Sequence, residues 1–115
     1  MSIIDGSGPS GLIRQGDLLL VPVASLPEQT WEAGSGRRLV LAEGEATGHA
    51  HVIVDDRAEL RREAFWNGRR FVVVEEGATV ALEHDEHDTL SVPAGVYEVR
   101  IQREYSPRGF RQVSD

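Results

Sequence analysis

The four histidines of the chain fall into two pairs, and both pairs have spacings that suit a metal site. His49 and His51 are separated by one residue, so on a β-strand their imidazoles point to the same face, about 6.5–7 Å apart. His84 and His87 flank two acidic residues, and a turn there would bring both rings to one side. Because imidazole is a good ligand for transition metals, we expect the four rings to bind one divalent ion together.

The expected metal is zinc, iron or manganese, since imidazole ligands without sulfur do not choose among these ions. Three protein ligands would leave an open position at which the ion activates water, as in a hydrolase, whereas four would close the site. Two alternatives stay open. The histidines could work without metal, one taking and one giving a proton in phosphodiester cleavage. They could also be satisfied by neighbouring carboxylates and serve only structure or contact.

Three further residues are candidates for the chemistry beside the histidines. Glu45 lies in the glycine-containing segment before the first pair, where a carboxylate can act as ligand or proton carrier. Arg103 and Tyr105 lie near the end of the last predicted strand, where a guanidinium beside a hydroxyl can recognise an anion. The expected ligand is a small-molecule substrate or a protein partner, and an oligomer is an open alternative.

Composition excludes several classes of chemistry. The chain has no cysteine, and all 12 of its basic residues are arginine. Thiolate nucleophiles, disulfides, sulfur-ligated zinc and lysine Schiff bases are therefore excluded. The net charge of −7 argues against binding of duplex nucleic acid.

An RNA contact remains as the alternative to metal binding. It rests on the arginines that surround Phe65 and Trp66, because interleaved arginine and aromatic side chains can grip single-stranded nucleic acid. The arginines in question are Arg57, Arg61, Arg62, Arg69 and Arg70. On this alternative the chain is a non-catalytic module for contact with RNA or protein.

The hydrophobic pattern predicts an all-β domain that positions these residues. Short runs rich in valine, leucine and isoleucine predict strands at 17–23, 38–45, 49–54, 69–75, 79–84, 90–92 and 96–105. Segment 24–37 is expected to be a loop, and 56–64 a short helix, a turn or an edge strand. Seven or so short strands fit a single small closed barrel or a two-sheet sandwich.

One domain accounts for the whole pattern. Residues 1–13 are rich in glycine and are expected to be a flexible arm, followed by a single domain over 14–115. No apolar run approaches the roughly 18–20 residues of a membrane span, and the first residues lack a signal-peptide pattern. We therefore expect a cytoplasmic protein without membrane contact.

Alternation along the chain also predicts which side chains face the core. From Thr79 onward, Val80 and Leu82 are in phase with His84, so His84 should face inward. In the last predicted strand, apolar Tyr97 and Val99 alternate with polar residues, which indicates one face on the core.

Four motifs resemble those of a family of small, uncharacterised bacterial proteins. They read Gly-Glu-Ala-Thr-Gly-His-Ala-His at 44–51, His-Asp-Glu-His at 84–87, Pro-Ala-Gly-Val-Tyr at 93–97 and Gln-Arg-Glu-Tyr at 102–105. The resemblance extends over nearly the whole chain from Arg14 and implies no particular activity.

The chain also resembles the cupins, which are small all-β barrels with a His-x-His motif followed by an acid. Here His49 and His51 are followed by Asp55, where that family usually has glutamate. Residues 93–95 read Pro-Ala-Gly and are followed by Glu98 and Gln102, where the family has histidine and asparagine. The resemblance implies a double-stranded β-helix with a central metal, to which Asp55 and Glu98 would be further ligands.

Overall fold

The all-β prediction is confirmed by a computed structural model, which describes residues 11–35, 38–43, 49–64, 68–106 and 109–112. Side chains are described for these residues except 35 and 103–112. Within this part of the chain there are ten strands and no α-helix. The strands are β1 (Ile13–Gln15), β2 (Leu18–Val23), β3 (Thr30–Ser35), β4 (Leu39–Glu43), β5 (Ala50–Ile53), β6 (Ala58–Glu63), β7 (Arg70–Glu83), β8 (Leu90–Ile101), β9 (Arg103–Ser106) and β10 (Gly109–Gln112).

Strand β7 is the centre of an antiparallel sheet that contains β1 to β8. One edge of β7 pairs with β8, which continues to β2 and then to β1. The other edge pairs with β6 in its first part and with β5 in its last part. The sheet therefore forks at β7 into one arm that ends at β3 and another that ends at β4.

A bend in the middle of β7 separates the two arms. The pairing register with β8 shifts between Val74 and Thr79, and Gly77 in this stretch has a φ of +83°. Side-chain-bearing residues rarely adopt that conformation, so glycine permits the bend. The part of β7 before this irregularity pairs with β6, and the part after it pairs with β5.

Most of the buried apolar residues of the sheet form one hydrophobic cluster. Alternating residues of β7, among them Val72, Val80 and Leu82, pack there with Leu18 and Leu20 of β2. This alternation is what the sequence pattern predicts for strands with one buried face. His51 and Gln15 are buried too, so the core includes polar groups.

The prediction of a closed barrel is wrong. Strands β1 and β4 lie at opposite ends of the sheet and do not pair in the part of the chain that the structure describes. The reason is the fork, because β5 and β6 share one edge of β7 and leave separate arms. The eight strands form one sheet rather than the two sheets of a sandwich.

Several predicted elements have different bounds in the structure. The predicted strands at 69–75 and 79–84 are one strand, β7, and those at 90–92 and 96–105 are covered by β8 and part of β9. Part of the loop predicted at 24–37 is β3, and the ambiguous segment 56–64 contains β6, which lies between β3 and β7. These differences arise because charged and glycine-containing stretches pair as strands once neighbours supply hydrogen bonds.

The start of the described chain is also part of the sheet. Ile13 is buried at the beginning of β1, and residues 1–10 of the predicted arm lie outside the described residues. Among the residues that are described, no helix is long and apolar enough to cross a membrane.

Candidate metal centre

The two histidine pairs meet at the far end of β7. His49 lies just before β5 and His51 lies within it, and His84 and His87 lie in the loop from β7 to β8. In the β5 to β7 register Val52 pairs with Glu83, so the next pair outward sets His51 opposite His84. Antiparallel pairing, rather than proximity in sequence, therefore brings the clusters together.

The four imidazole rings lie near one another. The ring centroid of His84 lies 4.3 Å from that of His51, 4.7 Å from that of His87 and 5.9 Å from that of His49. The centroids of His51 and His87 are 6.1 Å apart. Two imidazoles on one ion, with bonds of about 2.0–2.1 Å, have centroids roughly 4.5–5.2 Å apart. The observed separations bracket that range.

His51 is the buried member of the cluster. Its exposed fraction is 1%, and that of its hydrogen-bond partner Gln15 is 2%. The Gln15 side chain reaches from β1 to β5, to β7 and to the loop after β7, none of which pairs with β1 in the sheet. Its Nε2 donates to the carbonyl oxygens of Leu82, at 3.0 Å, and Asp88, at 2.9 Å. Gln15 Oε1 lies 2.8 Å from His51 Nδ1.

These bonds determine which nitrogen of His51 carries the proton. Because two carbonyl oxygens occupy the donor end of Gln15, its Oε1 must face His51. An amide oxygen only accepts, so His51 Nδ1 donates and is protonated. In neutral His51 the lone pair is therefore on Nε2. A metal-binding histidine typically has this arrangement, with one ring nitrogen donating to an oxygen and the other free for the metal.

A carboxylate lies beside that second nitrogen. Asp17 Oδ1 is 3.6 Å from His51 Nε2, and the Asp17 side chain is only 11% exposed. Burial is the largest cause that lowers the pKa of His51 below its ordinary value. Repulsion from His84 and His87 lowers the pKa further, and Asp17 opposes the shift. The site therefore favours a neutral His51.

The other histidines lie nearer the surface. His84 Nδ1 accepts a hydrogen bond of 3.0 Å from the backbone N–H of Glu86, within the loop. His49 Nδ1 lies 3.6 Å from Glu86 Oε1. In neutral His84 the proton is consequently on Nε2, so binding of a metal at either nitrogen requires the bond from Glu86 to break.

The histidines converge without forming a finished ligand set. Among the described residues, no three His, Asp or Glu side chains are placed so that they could hold a metal ion as they stand. Binding would require the half-buried rings of His84 and His87 to turn. Both belong to the loop at 84–89, which has no strand pairing of its own.

The remaining sequence candidates are not seen at this site. Glu45 lies outside the described residues, as do the side chains of Arg103 and Tyr105, whose backbone belongs to β9. Strand β9 pairs with β10 in a separate two-stranded sheet.

The two acids implied by the cupin resemblance bind arginines. Asp55 accepts bonds of 2.9 and 2.8 Å from the Arg57 side chain, which lowers the pKa of Asp55 to about 2. Glu98 accepts a bond of 3.0 Å from Arg100. Both carboxylates therefore take part in ion pairs with arginine.

The arginines of the RNA alternative are mostly engaged within the protein. Arg57 and Arg69 bind acidic side chains, and Arg61 binds Glu59. Arg70 donates to the carbonyl oxygen of Leu41. Charges paired in this way attract a phosphate backbone less than free ones do.

Sequence reasoning missed Gln15 and Asp17. The signal for Gln15 is its phase, because it follows buried Ile13 at an interval of two and is itself buried. A polar residue at an apolar position of a strand points to a buried hydrogen-bonding role. Asp17 lies in the turn after β1, and only the folded chain shows that this turn faces β5.

Comparison with protein families gives one match. The model of a family described as a domain of unknown function, DUF8820, matches residues 14–102. No curated protein and no solved structure matches the chain. The prediction of a small uncharacterised family that covers most of the chain is thus confirmed, and no activity comes with it.

Proposed function

We propose a function for a chain that belongs to the DUF8820 family: it binds one divalent transition metal through His51, His84 and His87, with His49 beside the centre but outside the ligand set. The ion would be zinc, iron or manganese, which imidazole ligands accept. The three rings have centroids 4.3 to 6.1 Å apart, and they would bind the ion once the rings of His84 and His87 turn and the bond from Glu86 to His84 breaks.

The buried hydrogen bond between Gln15 and His51 Nδ1 is the observation that carries the proposal. The free-energy cost of burying a histidine is lowest when both of its ring nitrogens have hydrogen-bonding or metal partners. Gln15 provides a partner for Nδ1 and leaves the Nε2 lone pair, which is the group a metal requires. The same glutamine binds Leu82 and Asp88, so it also ties both ends of the β7 to β8 connection to β1.

The proposed chemistry is hydrolysis by a metal-bound water. An ion with three histidine ligands retains an open position, and a metal lowers the pKa of water bound there. Glu45 remains proposed as proton carrier, and Arg103 with Tyr105 as a site for an anionic part of a small substrate. The cupin resemblance supports this proposal only through His49 and His51, because Asp55 and Glu98 bind arginines.

The test is metal content of tag-free protein. Chelator-treated protein is dialysed against zinc, iron(II) or manganese and measured by elemental analysis. We expect about one equivalent for the wild type and less than about a third of that for His51→Ala or His84→Asn. Val80→Ala, a truncation in the core without loss of a ligand, should bind like the wild type.

The proposal fails if folded wild-type protein takes up less than about a tenth of an equivalent of all three metals. Unchanged uptake in both histidine variants would also overturn it, since the metal would then be bound elsewhere.

A further inference from the structure

A cleft of about 650 Å³ lies over the end of the β3 to β6 pair, on the arm of the sheet that does not carry the histidines. The described residues that line it include none of the four histidines. Its volume is in the range of sites that hold small molecules. Ala33, Ala64 and Gly68 leave space between the larger side chains. The cleft is therefore a candidate site separate from the proposed metal centre.

A tryptophan and an arginine are the two largest side chains of the cleft. Trp31 of β3 pairs with Arg62 of β6 in the register, so the two residues are neighbours on one face of the sheet. The exposed fraction of Trp31 is 62%, although tryptophan is highly buried on average. An indole exposed to this extent can stack with the planar ring of a ligand.

Arg62 has a cation as its neighbour and no acidic partner. None of the ion pairs among the residues that the structure describes includes Arg62. Its partner in the β6 to β7 register is a second arginine, Arg70. Burial lowers the pKa of Arg70, and repulsion from Arg62 lowers it further. Like charges directly opposite each other destabilise a sheet, and an anion at Arg62 would offset this repulsion.

Gly68 provides the room in which the Arg62 guanidinium lies. A Cβ added to Gly68 would be 3.0 Å from Nε and 3.1 Å from Nη2 of Arg62, so the guanidinium would have to shift. Gly68 also has a φ of +66°, in the region that favours glycine. The guanidinium therefore lies against the backbone at Gly68, on the wall of the cleft.

Two carboxylates at the cleft limit the charge that a ligand can carry. Glu63 accepts bonds of 3.0 and 3.1 Å from Arg69, which offset its charge. Glu32, next to Trp31 in the sequence, brings a second carboxylate to the cleft. One guanidinium with two carboxylates nearby suits a ligand with a single negative charge better than a phosphate dianion.

We propose that this cleft binds a small aromatic carboxylate, whose ring stacks on Trp31 and whose carboxylate pairs with Arg62. The planar fork of a guanidinium matches the two oxygens of a carboxylate, and an indole supplies the stacking surface. The inference does not depend on the metal centre, since the two sites share no residue.

Titration with 2-naphthoate tests this inference, followed by NMR of the indole and guanidinium N–H groups. We expect saturable shifts at Trp31 and Arg62, with a dissociation constant on the order of 1 mM for a probe of this size. Naphthalene-2-methanol has the same ring without the charge and should bind at least about tenfold more weakly. The dianion 2-naphthyl phosphate should bind no more tightly than 2-naphthoate.

Three variants identify the groups that bind the probe. Arg62→Gln should lower the affinity for 2-naphthoate by about tenfold, because it removes a charged hydrogen-bond donor. Trp31→Ala should lower it by about fivefold or more, because it removes the stacking surface. Arg38→Gln is the matched control, since Arg38 is also exposed but does not line the cleft, and its affinity should stay within about twofold of the wild type.

Circular dichroism shows whether the variants are folded, and if they are not, the three naphthalene compounds on the wild type decide. Wild-type affinity in folded Arg62→Gln or Trp31→Ala would overturn the inference. So would equal binding of 2-naphthoate and naphthalene-2-methanol, or no saturable binding of 2-naphthoate at all. Tighter binding of 2-naphthyl phosphate would overturn the assignment to a carboxylate and favour a phosphorylated ligand. None of these outcomes affects the test of metal content.

Discussion

A single glutamine decides which nitrogen of His51 is available. Gln15 combines three buried hydrogen bonds, two as donor to backbone carbonyls and one as acceptor from the imidazole. Leucine of similar volume would leave all three partners without a bond. At the scale of the residue, the site therefore depends on a side chain that has no direct role in metal chemistry.

Replacement of Gln15 tests this dependence. We expect Gln15→Leu to lower the free energy of unfolding by about 2–4 kcal/mol, because two carbonyls and one imidazole N–H lose buried partners. Chemical denaturation measures the change. Arg14→Ala, on the exposed face of the same strand, should cost less than about 0.5 kcal/mol. Equal effects in the two variants would contradict the role given to Gln15.

The sequence identified the histidines but not their partners. A His-x-His spacing is informative by itself, since a strand sets both rings on one face whatever lies opposite. Gln15 and Asp17 carry no such local pattern, because their contacts with His51 depend on how β1 folds over the end of β7. Long-range packing of this kind is not encoded in short spacings.

The bend of β7 is the feature of greatest consequence among the elements. The sequence predicted two strands on either side of it, because the acids and glycine at 75–77 interrupt the apolar alternation. Hydrogen bonds to β8 continue on both sides, so the interruption is a bend within one strand. Alternation was predictable, whereas pairing partners were not.

Gly77→Ala tests the bend. The position has φ of +83° and open space around an added Cβ, so the cost should come from backbone strain alone. We expect a loss of about 1–2 kcal/mol in the free energy of unfolding. Glu76→Ala, at the neighbouring position, should change it by less than about 0.5 kcal/mol. A neutral Gly77→Ala variant would show that the bend does not need glycine.

The ion pair in the turn between β5 and β6 should stabilise the fold at neutral pH and cease to do so in acid. Arg57 lowers the pKa of Asp55 from 3.8 to about 2, so the unfolded chain binds the proton more readily than the folded one. The contribution is complete above about pH 4 and is lost as the pH falls toward 2. Asp55→Asn should therefore flatten the decline of stability between these pH values.

Urea denaturation at several pH values measures this effect. Asp56→Asn, which removes the adjacent exposed carboxylate, is the control and should retain the wild-type decline. The same decline in Asp55→Asn would show that the ion pair does not contribute.

At the scale of the whole molecule, the candidate centre joins parts of the chain that the sheet leaves apart. His51 belongs to β5, His84 and His87 lie between β7 and β8, and Gln15 of β1 bonds to His51. An ion bound to the histidines would hold β5 and the β7 to β8 connection together and, through Gln15, would also hold β1. Metal binding should therefore stabilise the entire fold.

Thermal unfolding measures that stabilisation. Free Zn²⁺ at a hundred times its dissociation constant adds about 2.7 kcal/mol, which corresponds to a rise of roughly 10 °C for a domain of this size. His51→Ala should show little or no rise at the same zinc concentration. A wild-type melting temperature that is independent of zinc would contradict binding to the folded state.

The brevity of β1 has a mechanical consequence. In the described part of the chain its three residues pair with β2 alone, so few backbone hydrogen bonds hold this strand in the sheet and Gln15 supplies much of its attachment. When it peels, Gln15 leaves with it, and His51 becomes accessible to water before the rest of the sheet opens. A bulky fusion at the amino-terminal side, by displacing β1, should therefore change how readily a metal ion reaches the proposed centre.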